Sequence, residues 1–557
     1  MTIVAGGLPA GTIKASITAA TAKPRALAFG PGGYGYFAGS TGSKELGGWH
    51  PLNRTPDSEV LQSKEKVTAR ARDLDRNNGW AIGGLDKRAD AVIGANIRLR
   101  AKPDWQALGL TPEWADEFAR QAESIFRTWG NDDRFLNDVE RHQSFGAQTR
   151  LAYMHFVRDG AACAPLYWIT DRGGLFATAA LLLDPLRLSN PDGRPDGLGI
   201  DGVDIRGGVE LDAYGAARAY HVRDAHPYES GWARSHKWTR IPRETPTGRP
   251  LFVHAINKRF AHQHHSLSRL AAAMPSLRTL DVYQRSEVAA QIVNAVFGMY
   301  ISSPFDSDFV REAMAPAGDG DDDLLGSYQD QRMAYHEKAD ITMDGVRLAH
   351  LFPNEKIETI SGARSATNYE AFTRAELRKI ASVYGLSGEQ LSNDWKGINY
   401  SNARTLLNEV QRGFLTDRHI FTQSYCSPIY GAVLEEAVAR DLIEVPGGKQ
   451  NFYRIRTALT ACDWIGPGRG WIDPKKEAEA ASLRISMGIS SQTDEAAEQG
   501  KDADEVRWQR KRDLEQDRKY GLTPIDPNAG TDAGVNGNDN PDQADRDDER
   551  EASGDEE

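Results

Sequence analysis

Asn399-Tyr400-Ser401-Asn402-Ala403-Arg404 opens the longest helical pattern in the chain, which runs to about Arg440. Its apolar stripe is Leu407, Val410, Phe414, Phe421, Tyr425, Val433 and Ala437, at steps of three, four and their sums. Such a helix, if continuous, would span roughly 60 Å, more than ordinary globular helices do. It suits a part that crosses a large assembly. Pro428 predicts a kink, because its ring excludes the carbonyl four residues back. Ser401 is the expected N-cap, its hydroxyl taking an otherwise unpaired backbone N–H. The loop from Asn393 to Asn399, holding Trp395 and Lys396, stands at the helix entry.

Outward from this helix the chain reads as α+β and helix-rich. Its 557 residues exceed one core and suggest roughly three to four domain-sized units. Residues 1–64 form a Gly-, Ala-, Ser- and Thr-rich arm with too little apolar surface to fold alone. Residues 65–265 open with helical stretches around Val67 to Leu74, Trp114 to Trp129 and Phe145 to Phe156. An Asn77-Asn78-Gly79 break follows the first of these. Strand-like runs come next at Leu166 to Ile169, Leu181 to Leu183, Val209 to Leu211 and Ala219 to Val222, separated by Asp-Gly and Tyr-Gly turns.

Residues 266–360 begin with a stripe from Leu270 to Val296, in which Pro275 either kinks the helix or starts its main segment. A polar Gly-Asp loop follows at Gly318 to Asp323. Residues 361–445 hold a further helix at Tyr369 to Tyr384 and the long kinked one. A last helical run fills 446–520, and 521–557 is an acidic tail.

Charge and cysteine content narrow the chemistry. Of the net charge of −12, the stretch from Asp539 to Glu557 carries −8, leaving a near-neutral body. A protein that wraps nucleic acid tightly needs many Lys and Arg contacts, whereas a near-neutral surface suits DNA that slides past. Cys163, Cys426 and Cys462 are widely spaced and odd in number, which favours neither a disulfide framework nor a zinc knuckle and points to a reducing compartment. No apolar run reaches the ~20 residues of a membrane span.

Catalytic signatures are weak. Gly447-Gly448-Lys449 is preceded by Ile443 where a phosphate loop needs its first glycine. Gly30 to Gly35 matches G-x-G-x-x-G without a following helix. His262, His264 and His265 have no Cys, Asp or Glu at ligand spacing and read as a surface cluster. Asp319 and Asp321-Asp322-Asp323 read as a solvated turn rather than a metal site. The expectation is a protein with no enzymatic activity, metal or cofactor.

Four stretches carry a family resemblance. Ala69-Arg70-Ala71-Arg72-Asp73-Leu74-Asp75-Arg76-Asn77-Asn78 leads to Val92-Ile93-Gly94-Ala95-Asn96-Ile97. Gly208-Val209-Glu210-Leu211-Asp212-Ala213-Tyr214-Gly215 leads to Ala219-Tyr220-His221-Val222. Leu391-Ser392-Asn393-Asp394 precedes Asn399-Tyr400-Ser401-Asn402-Ala403-Arg404. Cys462-Asp463-Trp464-Ile465-Gly466-Pro467-Gly468 leads to Ile472-Asp473-Pro474. In this order they resemble the lambda-family portal proteins of tailed double-stranded DNA phages, with Ala95 and Asn402 in place of the commoner glycine and serine.

The resemblance implies a homo-oligomeric ring, a dodecamer, with wing, stem, clip and crown around a DNA channel. The wing falls at about 65–260 and the stem helix near 266–298, with the clip either just before 266 or within 301–360. Implied partners are terminase subunits, capsid and scaffold proteins, head–tail joining proteins and passing double-stranded DNA, with no membrane. The implied location is the virion's portal vertex, and the host cytoplasm before assembly.

Since DNA must pass without being gripped, sparse loop cations should centre it; Lys396, Arg404 and Arg364 are the candidates. Trp464 beside the Gly-Pro-Gly turn is expected to pack rather than to bind. Alternatives are another virion structural protein, such as a head–tail connector, or a nucleic-acid-processing enzyme.

Overall fold

The computed structural model describes residues 48–199, 201–229, 237–296, 369–468, 470 and 474–522, with position 334 and short strands at 300–302, 341–343, 346–348 and 356–358. Most of the N-terminal arm, the Gly318–Asp323 loop, Arg364 and the acidic tail beyond 522 lie outside the described residues. The chain divides into two compact units, Met1–Thr55 and Pro56–Glu557, and the elements below belong to the second.

Helix α1, Pro56–Asn77, takes in the last nine residues of the stretch 1–64 read as arm. Proline at the first helical position costs no hydrogen bond, and Asp57 and Glu59 complement the positive helix end. The helix stops where the sequence says. Asn78 caps the next helix, α2 (Gly79–Val92), accepting the Ala81 N–H at 3.0 Å. A Cβ on Gly84 would lie 2.7 Å from the Tyr384 ring, so only glycine lets α2 approach that side chain.

Strand β1 (Arg98–Ala101), the short α3 (Trp105–Leu108), α4 (Pro112–Gly130) and α5 (Phe145–Arg158) follow. Strands β2 (Ala161–Trp168), β3 (Thr178–Ala180) and, later, β9 (Phe252–Ile256) make a three-stranded antiparallel sheet ordered β3-β2-β9. Between them a five-stranded antiparallel sheet runs in sequence order: β4 (Gly197–Leu198), β5 (Asp204–Arg206), β6 (Val209–Leu211), β7 (Ala217–Arg223) and β8 (Trp238–Pro242). The second motif is therefore a true hairpin, with Val209 opposite Tyr220. The strand expected at Leu181–Leu183 lies earlier, at Thr178–Ala180; Leu183 makes only an isolated bridge to Cys163.

Helix α6, Met274–Val296, has Pro275 as its second residue, so the proline starts the helix rather than bending it. Its stripe splits in two. Leu277 and Leu280 are fully buried, while Val288 and Ile292 are more than half exposed. Two short antiparallel pairs, β10 (Tyr300–Ser302) with β13 (Lys356–Glu358) and β11 (Ile341–Met343) with β12 (Val346–Leu348), are described beyond it.

Helices α7 (Tyr369–Tyr384) and α8 (Gly388–Ser392) lead to the long pattern, which is two helices, α9 (Tyr400–Ser424) and α10 (Cys426–Ala439). The break falls at Tyr425, three residues before Pro428, because the proline ring displaces the Ser424 carbonyl. Hydroxyls of Thr422 and Ser424 bond back to carbonyls of the preceding turn and loosen the same stretch.

After α11 (Phe452–Leu459), β14 (Cys462–Ile465) pairs antiparallel with β1, Trp464 opposite Leu99. The stretch 446–520 thus begins inside the core shared by α2, α4, α5, α9 and α10. Only α12 (Pro474–Ser486), α13 (Gln492–Glu498) and α14 (Ala503–Tyr520) stand outside it, and Ala503 alone among their residues is buried.

Candidate DNA-channel loop and the polar frame behind it

Three buried polar knots tie the motifs together. In the first, Arg72 forks between two carboxylates, at 3.0 and 3.1 Å from Asp159 and 2.8 and 2.9 Å from Asp184. Asp159 is fully buried and also takes His155 and Arg158; these bonds outweigh burial and hold its carboxyl well below the usual range. Arg158 reaches back to Asp75 on α1 at 2.8 Å. The motif arginine is a clamp between α1, α5 and the turn after β3.

In the second knot, Asp417 of α9 pairs with buried Arg88 of α2 and, at 3.1 Å, with Arg269. Arg88 also bonds the Tyr153 hydroxyl and the Tyr384 carbonyl. In the third, Arg418 donates to the Val92, Ala91 and Pro467 carbonyls at 2.7, 3.1 and 3.2 Å. It sits at the negative end of α2, and burial pushes its guanidinium down to about 10. A Cβ on Gly466 would stand 2.3 Å from Arg418 Nε, which accounts for the glycine of the fourth motif.

The remaining motif residues fall into place around these knots. Asp73 and Asn77 bond to each other at 2.7 Å, and with Arg70 they line a groove between α1 and α6. Trp464 packs edge-on to Phe126 and donates Nε1–H to Ser427 at 3.0 Å, the packing role expected. Its neighbour Asp463 pairs with Lys102 at the surface. The N-cap of α9 is Asn399, whose side chain accepts the Asn402 N–H at 2.9 Å; Ser401 lies two residues further on, already the second residue of the helix. An Asx side chain at the extended position wins over a serine already in helical geometry.

The histidines correct the sequence reading. His262 is exposed, but His264 and His265 are buried. His264 Nδ1 lies 2.7 Å from Asp57, which raises its pKa; the same contact outweighs burial and brings Asp57 down to about 2. His265 lies 2.8 Å from the Arg206 carbonyl and 3.2 Å from buried Lys64. Burial, then Lys64, lowers His254 to about 3, and burial holds His265 low as well. Burial was not legible from the local sequence because the partners, Asp57 and Lys64, are some 200 residues away.

A pH dependence follows. His254 and His265 have folded values below the ordinary ~6.5, so their stabilisation is complete above that pH and is lost as pH falls. His264 works oppositely, its share being lost as pH rises through its raised value, and Asp57 matters only toward pH 2. The thermal midpoint should drop between pH 7 and pH 5, and His254→Gln should flatten that drop. An unchanged slope in the variant would show that His254 does not titrate on unfolding.

The candidate DNA loop is well held. Asn393 takes a left-handed conformation and accepts Lys87 at 2.6 Å, and Asp394 pairs with Arg374 at 2.7 Å. The Asp394 carboxylate also accepts the Lys396 backbone N–H. The Lys396 and Arg404 side chains are exposed and form no ion pair among the described residues. Two exposed cations without an ion-pair partner among the described residues thus stand at the entry of α9, while Arg364 lies outside the described residues.

Comparison with known proteins assigns the family. The model of the phage portal protein, lambda family, matches residues 42–418, and the chain belongs to that family. It is 31% identical over 494 residues to the portal protein of Escherichia phage N15, covering 88% of this chain and 92% of that protein. Portal protein B of Escherichia phage lambda is likewise 31% identical over 494 residues, covering 88% of this chain and 91% of that one. A chain from the neck of a native gene transfer agent particle aligns over 79% of this chain and 94% of its own, at 12% identity and a TM-score of 0.40.

Proposed function

We propose that twelve copies of this portal protein form a ring at one capsid vertex of a tailed phage or prophage, through which double-stranded DNA is packed and ejected. The match to the lambda portal family over most of the chain carries this reading. The ring acts as a structural and mechanical part with no reaction of its own. It takes part in procapsid assembly among capsid and scaffold proteins, docks terminase during packaging and then holds the head–tail joining proteins. Copies wait in the host cytoplasm before joining the virion.

Within that ring the wing runs from Pro56 to about 265, α6 is the stem, and the helices beyond 474 belong to the crown. The half-exposed end of α6, with Val288 and Ile292, then packs against neighbouring copies. Lys396 and Arg404 face the channel. Single cations repeated around a ring centre a duplex without gripping it, because affinity climbs with the number of phosphates neutralised.

Lys396→Glu with Arg404→Glu should assemble rings as well as the parent, since neither side chain has an ion-pair partner to lose among the described residues. Packaging rate or packaged length should fall severalfold. Intact rings with unaltered packaging would remove both residues from the channel.

A further inference from the structure

Among the described residues, helix α14 is anchored at its N-terminal end alone. Asp502 caps it, Ala503 is buried and Glu505 pairs with Arg98. Beyond Val506 nearly every residue is exposed, Trp508 and Tyr520 among them. An isolated helix of that length is marginal in water, so a covering contact would help to keep it formed.

Its charge pattern indicates which contact. Projected at 100° per residue, Arg507, Arg510, Lys511 and Arg518 share a sector of roughly 100° with Leu514. Asp513 and Glu515 fall outside the sector, and Asp517 lies at its margin. Arg507 is taken by Asp504 at 2.8 Å. Arg510 and Arg518 form no ion pair among the described residues, and neither do Arg512 and Lys519 on the other side; Lys511 lies over the Trp508 ring. One helix face therefore presents unneutralised cations in register.

The chain itself supplies a complement. Residues 523–557 hold 12 acidic residues and two arginines, a net charge of −10 in 35 residues. They follow Gly521, which ends α14 in a left-handed turn and lets the backbone change direction. A tether this short places those carboxylates at an effective concentration on the order of millimolar beside the helix.

We infer that the acidic tail, from its own or an adjacent copy, docks on the Arg510–Lys511–Arg518 face of α14. The contact is electrostatic and exposed, so salt weakens it. Given the proposed DNA channel, it also keeps this basic helix from gripping passing duplex. That consequence rests on the portal reading, but the docking does not.

Zero-length carbodiimide cross-linking of the full-length protein tests the docking directly. Exposed Lys449 and Asp441, 2.6 Å apart, provide an internal control. Links from Lys511 to Asp or Glu between 526 and 557 are expected at low salt, falling severalfold at about 0.5 M salt. In Arg510→Glu/Arg518→Glu the tail links should largely disappear. A control link without any tail link would overturn the docking.

A second arm uses a short DNA duplex. Deleting 523–557 should tighten duplex binding by about tenfold or more at low salt, and the Arg510→Glu/Arg518→Glu pair should cancel the gain. If full-length and truncated proteins bind equally, and the charge reversals weaken both, the face is a DNA surface and the tail proposal falls.

Discussion

Arg72→Met lowers the stability of the folded subunit by about 3 kcal/mol, read as a shift in urea midpoint at constant slope. Removing one partner of a buried ionic cluster typically costs about 3–5 kcal/mol, because the other charge is left unpaired in low dielectric. Here the lower end applies. Asp159 keeps Arg158 and His155, and Asp184 is partly exposed, so water can reach it. Arg72→Lys retains the charge but cannot fork to two carboxylates, and should recover about half the loss. The loss should shrink in acid, because the contribution of Asp159 is full above the ordinary carboxylate value near ~3.9 and is lost as pH falls from there through its lowered folded value. A change below about 0.5 kcal/mol would mean that the first motif is not the clamp described.

Arg418→Met should act as strongly, but locally. It leaves the Val92, Ala91 and Pro467 carbonyls without their shared donor, at about 1–3 kcal/mol for each buried group left unsatisfied. Part of that is offset, since a buried cation no longer has to be desolvated. The net expectation is about 2–4 kcal/mol. Hydrogen exchange should rise first at the end of α2 and around 466–468, where the three carbonyls lie. Uniform loosening of the whole chain would place the role of Arg418 elsewhere.

Much of the fold was legible in the sequence because its signals are local. Asn77-Asn78-Gly79 ends one helix and caps the next, Pro428 divides the long helix, and the Asp212 to Gly215 turn makes the β6–β7 hairpin. Where the outcome depended on distant partners, reading failed or fell silent. The pairing of β1 with β14 joins residues over 360 positions apart, and no local pattern announces it. His264 and His265 looked like surface residues because Asp57 and Lys64 reach them only in the folded chain.

The same distinction separates the motif residues. Arg72 and Gly466 could be recognised by resemblance, but why each must be that residue emerged only from Asp159, Asp184 and Arg418. Arg88 and Arg418, which hold the centre of the frame, gave no sequence signal beyond being charged residues at helical positions facing the core. The Lys396 loop was singled out by the motif next to it, and its fixed geometry comes from Lys87 and Arg374.

Electron cryomicroscopy of the purified full-length protein tests the central claim most directly. The account predicts closed rings with an axial hole, the 393–404 turn of every copy directed at the axis and α6 packed against its neighbours. Monomers under all assembly conditions, or rings in which Lys396 and Arg404 face outward from the hole, would contradict it.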